Sequence, residues 1–295
     1  MKLPIVLLVF IVVHVCGGAR ILFMGILGTV SHKRFYMPMA ESLAERGHNV
    51  TVVSRFAPAG EPIENIREIV VDLSVLYGSV DYFNVRSFRG IISIVPIYIT
   101  FGRKMQNIYD ILMQHQEFRL LLQNEKFDLV VVDACINEFI YPIADTWKVP
   151  IVTVSPIIEN MVVNMGTPRH LASFPGLWSE GSDRMSFRER LSNTIGTMIS
   201  VVARKYFILH ALNSKIQKDF PHMRTIQEVE KDISLCIVNS NPAYNFLRPL
   251  PPTVIEVTGI HIKPPKPLPS VNILYQLPNF FRLINKDFIM VYVAF

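Results

Sequence analysis

The chain is poor in the features that mark a nucleic-acid partner, a metal site or a disulfide scaffold. Its 29 Lys and Arg against 24 Asp and Glu leave a formal charge of only +5 over 295 residues. The cations form no dense cluster, which argues against a phosphate backbone as ligand. Cysteine is scarce: Cys16, Cys135 and Cys236 match no zinc-ligand spacing, and the last two fall in apolar runs that predict two buried thiols rather than a disulfide. His48, His170, His210, His222 and His261 are likewise scattered without ligand spacing. Both glycine-rich nucleotide fingerprints are missing, since Gly25 and Gly28 read as turn residues with no Gly-Lys-Ser/Thr behind them. Ser31 lacks the Gly-x-Ser-x-Gly elbow of a hydrolase nucleophile. There is no internal repeat and no low-complexity block.

Apolar sequence, by contrast, is plentiful. Half the residues are hydrophobic, enough for a sizeable core in one large domain or two modest ones. Met1 to Pro4, the apolar run Ile5 to Val13 and the small residues Cys16 to Ala19 have the charged start, apolar middle and small-residue end of a secretory signal. Cleavage is expected near Gly18 or Ala19, and loss of Lys2 lowers the formal charge from +5 to +4. An uncleaved anchor is the alternative, although the run falls short of the ~20 residues that span a bilayer.

The stretch from Ala19 to Arg55 reads as strand, loop, amphipathic helix and strand. The helix keeps Phe35, Met39 and Leu43 on one stripe beside Ala40 and Ala44, and stops at Arg46-Gly47. A short strand follows within Glu64 to Leu73. The region from Asp81 to Glu125 is helical in pattern and is interrupted at Pro96. A buried core helix is the expectation there, with a surface dipping into a lipid interface as the alternative.

Phe127 to Asp133 is a near-continuous apolar strand ending in a carboxylate, as in a central parallel strand covered on both faces. A helix over Asn137 to Trp147, a strand over Val149 to Ser155, a helical stretch from Ser186 to Ile216 and two strands at Ser234 to Asn239 and Thr253 to Val257 complete the pattern. Strand and helix alternating in this way predict an α/β doubly wound parallel sheet.

Ligands of such sheets bind at the carboxyl ends of the strands. His32 follows the first strand and Asp133 ends the fourth. A histidine held by a carboxylate can take a proton from a hydroxyl, the carboxylate fixing the tautomer and stabilising the imidazolium. Spacing alone carries little weight for this pair. The competing reading makes Ser31 a helix N-cap and leaves His32 in solvent.

Several landmarks then occur in order. Gly28-x-x-Ser31-His32, Leu43-Ala44-Glu45-Arg46-Gly47-His48-Asn49-Val50-Thr51-Val52 and Phe127-Asp128-Leu129-Val130-Val131-Val132-Asp133 come first. Val238-Asn239-Ser240, Arg248-Pro249-Leu250-Pro251-Pro252, Glu256-Val257-Thr258-Gly259-Ile260-His261 and Pro264-Pro265-Lys266-Pro267-Leu268-Pro269 follow. Together they resemble the amino-terminal half of the animal UDP-glycosyltransferases, the UDP-glucuronosyltransferase family, over Arg20 to Pro269. The resemblance implies a Rossmann-like acceptor domain, the first half of a two-domain GT-B glycosyltransferase. It implies His32 as general base on the acceptor hydroxyl, Asp133 as its partner, and transfer of glucose or glucuronate from a UDP-sugar to a small lipophilic acceptor with inversion and without a metal or other cofactor. The 81 to 125 region would wall the acceptor site, and the setting would be the endoplasmic reticulum lumen.

The domain expectation is a signal over 1–19, the acceptor domain over 20–262, a Pro-rich linker over 263–269 and a truncated or foreign tail over 270–295. The family's Trp-, His- and Glu-containing donor motif has no counterpart, since Trp147 and Trp178 both precede the linker. Two functions follow: a UDP-sugar-dependent transferase of which this is the acceptor half, or a non-catalytic chain that binds lipophiles, touches a membrane surface or associates with full-length relatives.

Overall fold

The computed structural model describes residues 17–77, 90–157, 171, 174–176, 179, 184–241, 243, 245 and 249–262. The amino-terminal apolar run, the start of the 81 to 125 stretch, His170, Trp178, Arg248, the Pro-rich linker and the tail lie outside them. Contacts divide the chain into one unit over Met1–His261 and a second over Ile262–Phe295.

Seven strands, β1 (Arg20–Gly25), β2 (Asn49–Ser54), β3 (Ile66–Val70), β4 (Leu129–Asp133), β5 (Ile151–Ser155), β6 (Leu235–Asn239) and β7 (Val254–Val257), form one sheet in the order 3-2-1-4-5-6-7. Every pairing is parallel, so the expected doubly wound sheet is present. The apolar strands put alternate residues on opposite faces. Ile21, Phe23, Val50, Val52 and Val131 pack under helix α1 (Val30–Glu45). Leu22, Met24, Val53, Val130 and Val132 pack on the other side.

That second side is covered by α3 (Ile94–Gln114), α4 (Gln116–Asn124), α5 (Ile140–Ala144), α7 (Ala211–Asp219) and α8 (Ile226–Lys231), all of which contribute core residues. Two further helices are the four-residue α2 (Ser74–Tyr77), which precedes α3, and α6 (Phe187–Ala203), which follows β5, and a π-helical segment Arg204–His210 joins α6 to α7.

Details depart from the sequence reading for local reasons. Helix α1 buries Lys33, Phe35, Tyr36, Ala40 and Ala44, while Met39 and Leu43 are only partly buried. Its stop is as expected: Gly47 has φ +87°, its N–H donates to Ala44 O at 2.9 Å, and that of His48 donates to Leu43 O at 3.1 Å. Pro96 does not interrupt a helix. It is the third residue of α3, where its missing N–H has no intrahelical partner to lose. The 137 to 147 helix is shorter than expected, starting at Ile140 and ending in a 3-10 turn Asp145–Trp147. Cys236 lies in β6, but Cys135 lies in the turn after β4 rather than in a strand; both are buried and neither is in a disulfide.

Gly102 of α3 lets two backbones meet: a Cβ there would fall 1.9 Å from the Phe207 carbonyl oxygen in the π-helical segment. Gly102→Ala must push the helices apart, at a cost of about 1–3 kcal/mol. Urea unfolding should show that loss, and an unchanged midpoint would contradict the close approach.

Candidate active site

The strand order reverses between β1 and β4: β2 and β3 extend the sheet on one side, and β5, β6 and β7 on the other. Crevices at such reversals, beyond the carboxyl ends of the strands, are where open α/β sheets hold ligands. Met24 pairs with Val132, so Gly25 and Asp133 end their strands side by side. The loop after Gly25 enters α1, whose third residue is His32, and the His32 N–H donates to Thr29 O at 3.0 Å. Ser31 is not the N-cap. Thr29 holds that position without a side-chain cap bond, and its hydroxyl lies 2.6 Å from that of Ser31.

The structure joins the two predicted residues across 101 positions of sequence: His32 Nδ1 is 2.8 Å from Asp133 Oδ2. The side chains are 12% and 1% exposed. The other Asp133 oxygen accepts the Cys135 N–H at 3.1 Å. Burial raises the Asp133 carboxyl above its ordinary range, against the opposing effects of the His32 hydrogen bond and charge and of the Cys135 amide. While Asp133 is ionised its carboxylate can only accept, so the ring nitrogen facing it, Nδ1, carries the proton; a neutral ring so held has its lone pair on Nε2.

Sequence reasoning missed the residues that hold this pair. Gly28 has φ +126°, and a Cβ there would sit 3.0 Å from Cγ and Nδ1 of His32, so it serves the imidazole as well as the turn. Asn137 is fully buried. Its Oδ1 accepts the Leu27 N–H at 2.7 Å, and its Nδ2 donates to Leu27 O at 3.0 Å and Cys135 O at 2.8 Å. It thereby clamps the loop after β1 to the turn after β4. Within that turn Ile136 has φ +62°, a conformation costing a β-branched residue on the order of 1–3 kcal/mol.

Next to His32, the buried Lys33 ammonium pairs with Glu68 and donates to Phe56 O at 2.8 Å and Ala57 O at 3.3 Å, tying the first turn of α1 to β3 and to the loop after β2. Tyr36, one turn on, is kept neutral by burial and by the Asp133 and Glu68 carboxylates. Its ring lies against Gly25, where a Cβ would come within 2.9 Å of it.

The remaining histidines sit elsewhere. His48 accepts the Ala19 N–H at 3.0 Å, and His261 meets Phe35 edge-on. His210 and His222 are exposed. Among the described residues no three His, Cys, Asp or Glu side chains are grouped to hold a metal. Met105, Ile108, Tyr109 and Leu112 of the expected acceptor wall are fully buried core, so that part of the 81 to 125 region supports the sheet instead. A cavity of about 760 Å³ lined by Met113, Phe127, Trp147 and Phe220 lies where the chain enters β4 and β5, at the end of the sheet away from His32.

Removing the imidazole leaves a buried carboxyl against which burial acts with less opposition, so the folded-state pKa of Asp133 rises further in His32→Ala. A group raised on folding contributes stability that is present below its unfolded pKa and lost as pH rises through the folded value. The variant should therefore be destabilised against the parent at neutral pH, by about 1–3 kcal/mol, and the deficit should shrink on acidification toward pH ~4. Urea denaturation at both pH values checks this, and a pH-independent deficit would contradict it.

A family model described as UDP-glucoronosyl and UDP-glucosyl transferase matches residues 28–278. The chain is 27% identical over 251 residues to UDP-glycosyltransferase UGT4 of Dactylopius coccus, a match covering 82% of this chain and 49% of that protein. It is 25% identical over 289 residues to 2-hydroxyacylsphingosine 1-beta-galactosyltransferase of Mus musculus, covering 90% and 50%. Among solved structures, Medicago truncatula UGT71G1 complexed with UDP-glucose is 10% identical, with a TM-score of 0.41 and coverage of 91% of this chain and 57% of that one. The chain thus spans about half the length of the curated relatives it matches. Since the family match takes in His32, Asp133 and the turns that hold them, the chain belongs to the UDP-glucuronosyl and UDP-glucosyl transferase family.

Proposed function

We propose that this chain is the acceptor-binding half of a UDP-sugar-dependent hexosyltransferase in which His32 is the general base and Asp133 its partner. The observation that carries the reading is the 2.8 Å contact between His32 Nδ1 and the buried Asp133 carboxylate at the strand-order reversal. Nε2 takes the proton of an acceptor hydroxyl as its oxygen attacks the anomeric carbon of the UDP-sugar. The bond from that carbon to the UDP oxygen breaks, UDP leaves with the electron pair, and the configuration inverts. Asp133 stabilises the imidazolium formed in this step.

The donor is assigned to the part of the relatives' length that this chain does not span, so the two substrates meet only when both halves are present. Proximity of that kind supplies much of the rate in a two-substrate transfer. The relatives' names include an ecdysteroid UDP-glucosyltransferase of a nuclear polyhedrosis virus and a UDP-glucuronosyltransferase of Oryctolagus cuniculus. These names, with the acylsphingosine enzyme above, support a lipophilic hydroxyl acceptor and a hexose or hexuronate donor. Residues 20–262 would form the acceptor domain and 263–269 the linker. The charged, apolar and small-residue order of residues 1–19 supports entry into the secretory pathway.

In a full-length transferase carrying this domain, His32→Ala and Asp133→Asn should each lower kcat by about 10²–10⁴-fold. Affinity for the UDP-sugar, measured by calorimetry, should stay within about twofold. Glycoside formation in either variant at close to the parent rate would rule out the assignment of the base.

A further inference from the structure

Asn49-Val50-Thr51 is the one Asn-x-Ser/Thr sequence in the chain, the acceptor pattern for an N-linked oligosaccharide. It opens β2, which is paired on both sides, to β1 and to β3. Such a strand is a poor place for a bulky polar group. Thr51 follows that rule, at 8% exposed. Asn49 does not, because it is the one exposed residue of β2. Its backbone N–H is committed to Ala19 O at 2.9 Å, whereas its side-chain amide makes no hydrogen bond among the described residues.

The space around that amide suits a sugar. A groove of about 440 Å³ runs beside it, with Arg20, Thr51, Asn65, Arg67 and Glu125 in its lining. Both arginines pair with Glu125, and guanidinium and carboxylate groups offer donors and acceptors to sugar hydroxyls. Asn49 also stands at the far end of the sheet from His32. It pairs with Arg20, the first residue of β1, while the site lies past the last. From Asn49 to Ser54 the strand rises by about 17 Å, which keeps an oligosaccharide clear of the site.

We propose that Asn49 carries an N-linked oligosaccharide, added as the chain enters the secretory pathway. The inference rests on the reading that residues 1–19 direct that entry. Burial of Thr51 does not close the acceptor sequence, because modification comes first. Thr51 shares a face with Val53, in the layer that α3 and α4 complete. Those helices begin at Ile94 and Gln116, so a chain that enters from its amino terminus presents 49–51 before either is there to pack. In the transfer the Asn49 amide nitrogen attacks the anomeric carbon of a lipid diphosphate-linked oligosaccharide. The bond from that carbon to the phosphate oxygen breaks, the lipid diphosphate leaves with the electron pair, and the amide gives up one proton. In the folded product the sugar projects from an exposed strand end, at no cost to the core.

The test is expression of the full chain in cultured insect cells, followed by digestion with peptide N-glycosidase F. The enzyme should increase the gel mobility of the chain in a single step, and mass spectrometry should find deamidation at Asn49 in the digested chain. Asn49→Gln, at an exposed position, and Thr51→Ala should each abolish the step. Thr51→Ser should keep it, so that a lost step in Thr51→Ala reports the acceptor sequence and not a disturbed strand. An unmodified Asn49 peptide from chain that external protease cannot reach in intact microsomes would overturn the proposal while leaving secretory entry in place. Chain fully digested by that protease would overturn both, because it would never have met the oligosaccharide donor.

Discussion

A carboxylate taken out of water must be paired, and the geometry of this domain answers to that requirement at Asp133. Its partner, His32, is 101 residues away in sequence, so the pair exists only if the strand before His32 and the strand that ends in Asp133 are neighbours in register. The 3-2-1-4-5-6-7 order supplies that adjacency and puts both ends at the reversal. The free energy to hold the arrangement comes from the two apolar layers, since a buried polar pair is weak evidence of stability by itself. What the pair adds is a fixed orientation: an imidazole ring with one nitrogen committed to Asp133.

The supporting contacts show how that orientation is kept. Gly28 makes room for the ring, Asn137 locks the two loops to each other, and Lys33 anchors the first turn of α1 through Glu68 and two carbonyls. Ile136 is held in an unfavourable backbone conformation between Asp133 and Asn137, and the three Asn137 hydrogen bonds offset that cost. Strain next to the carboxylate, in a turn fastened on both sides, fits a site built for a set geometry rather than for adaptability.

The strands and the long helices were legible because each carries a strong local period. Phe127 to Asp133 reads as a covered parallel strand from its composition alone, and Arg46-Gly47 marks the end of α1. The supports of the site were not legible, because their meaning lies in distant partners. Asn137 reads as the first residue of a helix until Leu27, 110 positions away, is beside it. Lys33 has no partner in its own stretch of sequence, and β3 brings Glu68 to it. The cap at Thr29 was hidden because Ser31 has the same chemistry two residues on. The helical stretch after Ser186 was recognised by its apolar content, but periodicity does not say which face turns inward, and here the small polar face does.

The proposed role of the site depends on Asp133 fixing the tautomer of His32. Nitrogen-15 correlation spectra of the imidazole, recorded on this chain at a pH where the ring is neutral, address it directly and need no donor domain. A proton on Nδ1, an unprotonated Nε2, and a mixture of tautomers in Asp133→Asn are the expected result. A His32 ring protonated on Nε2 in the parent protein would contradict it.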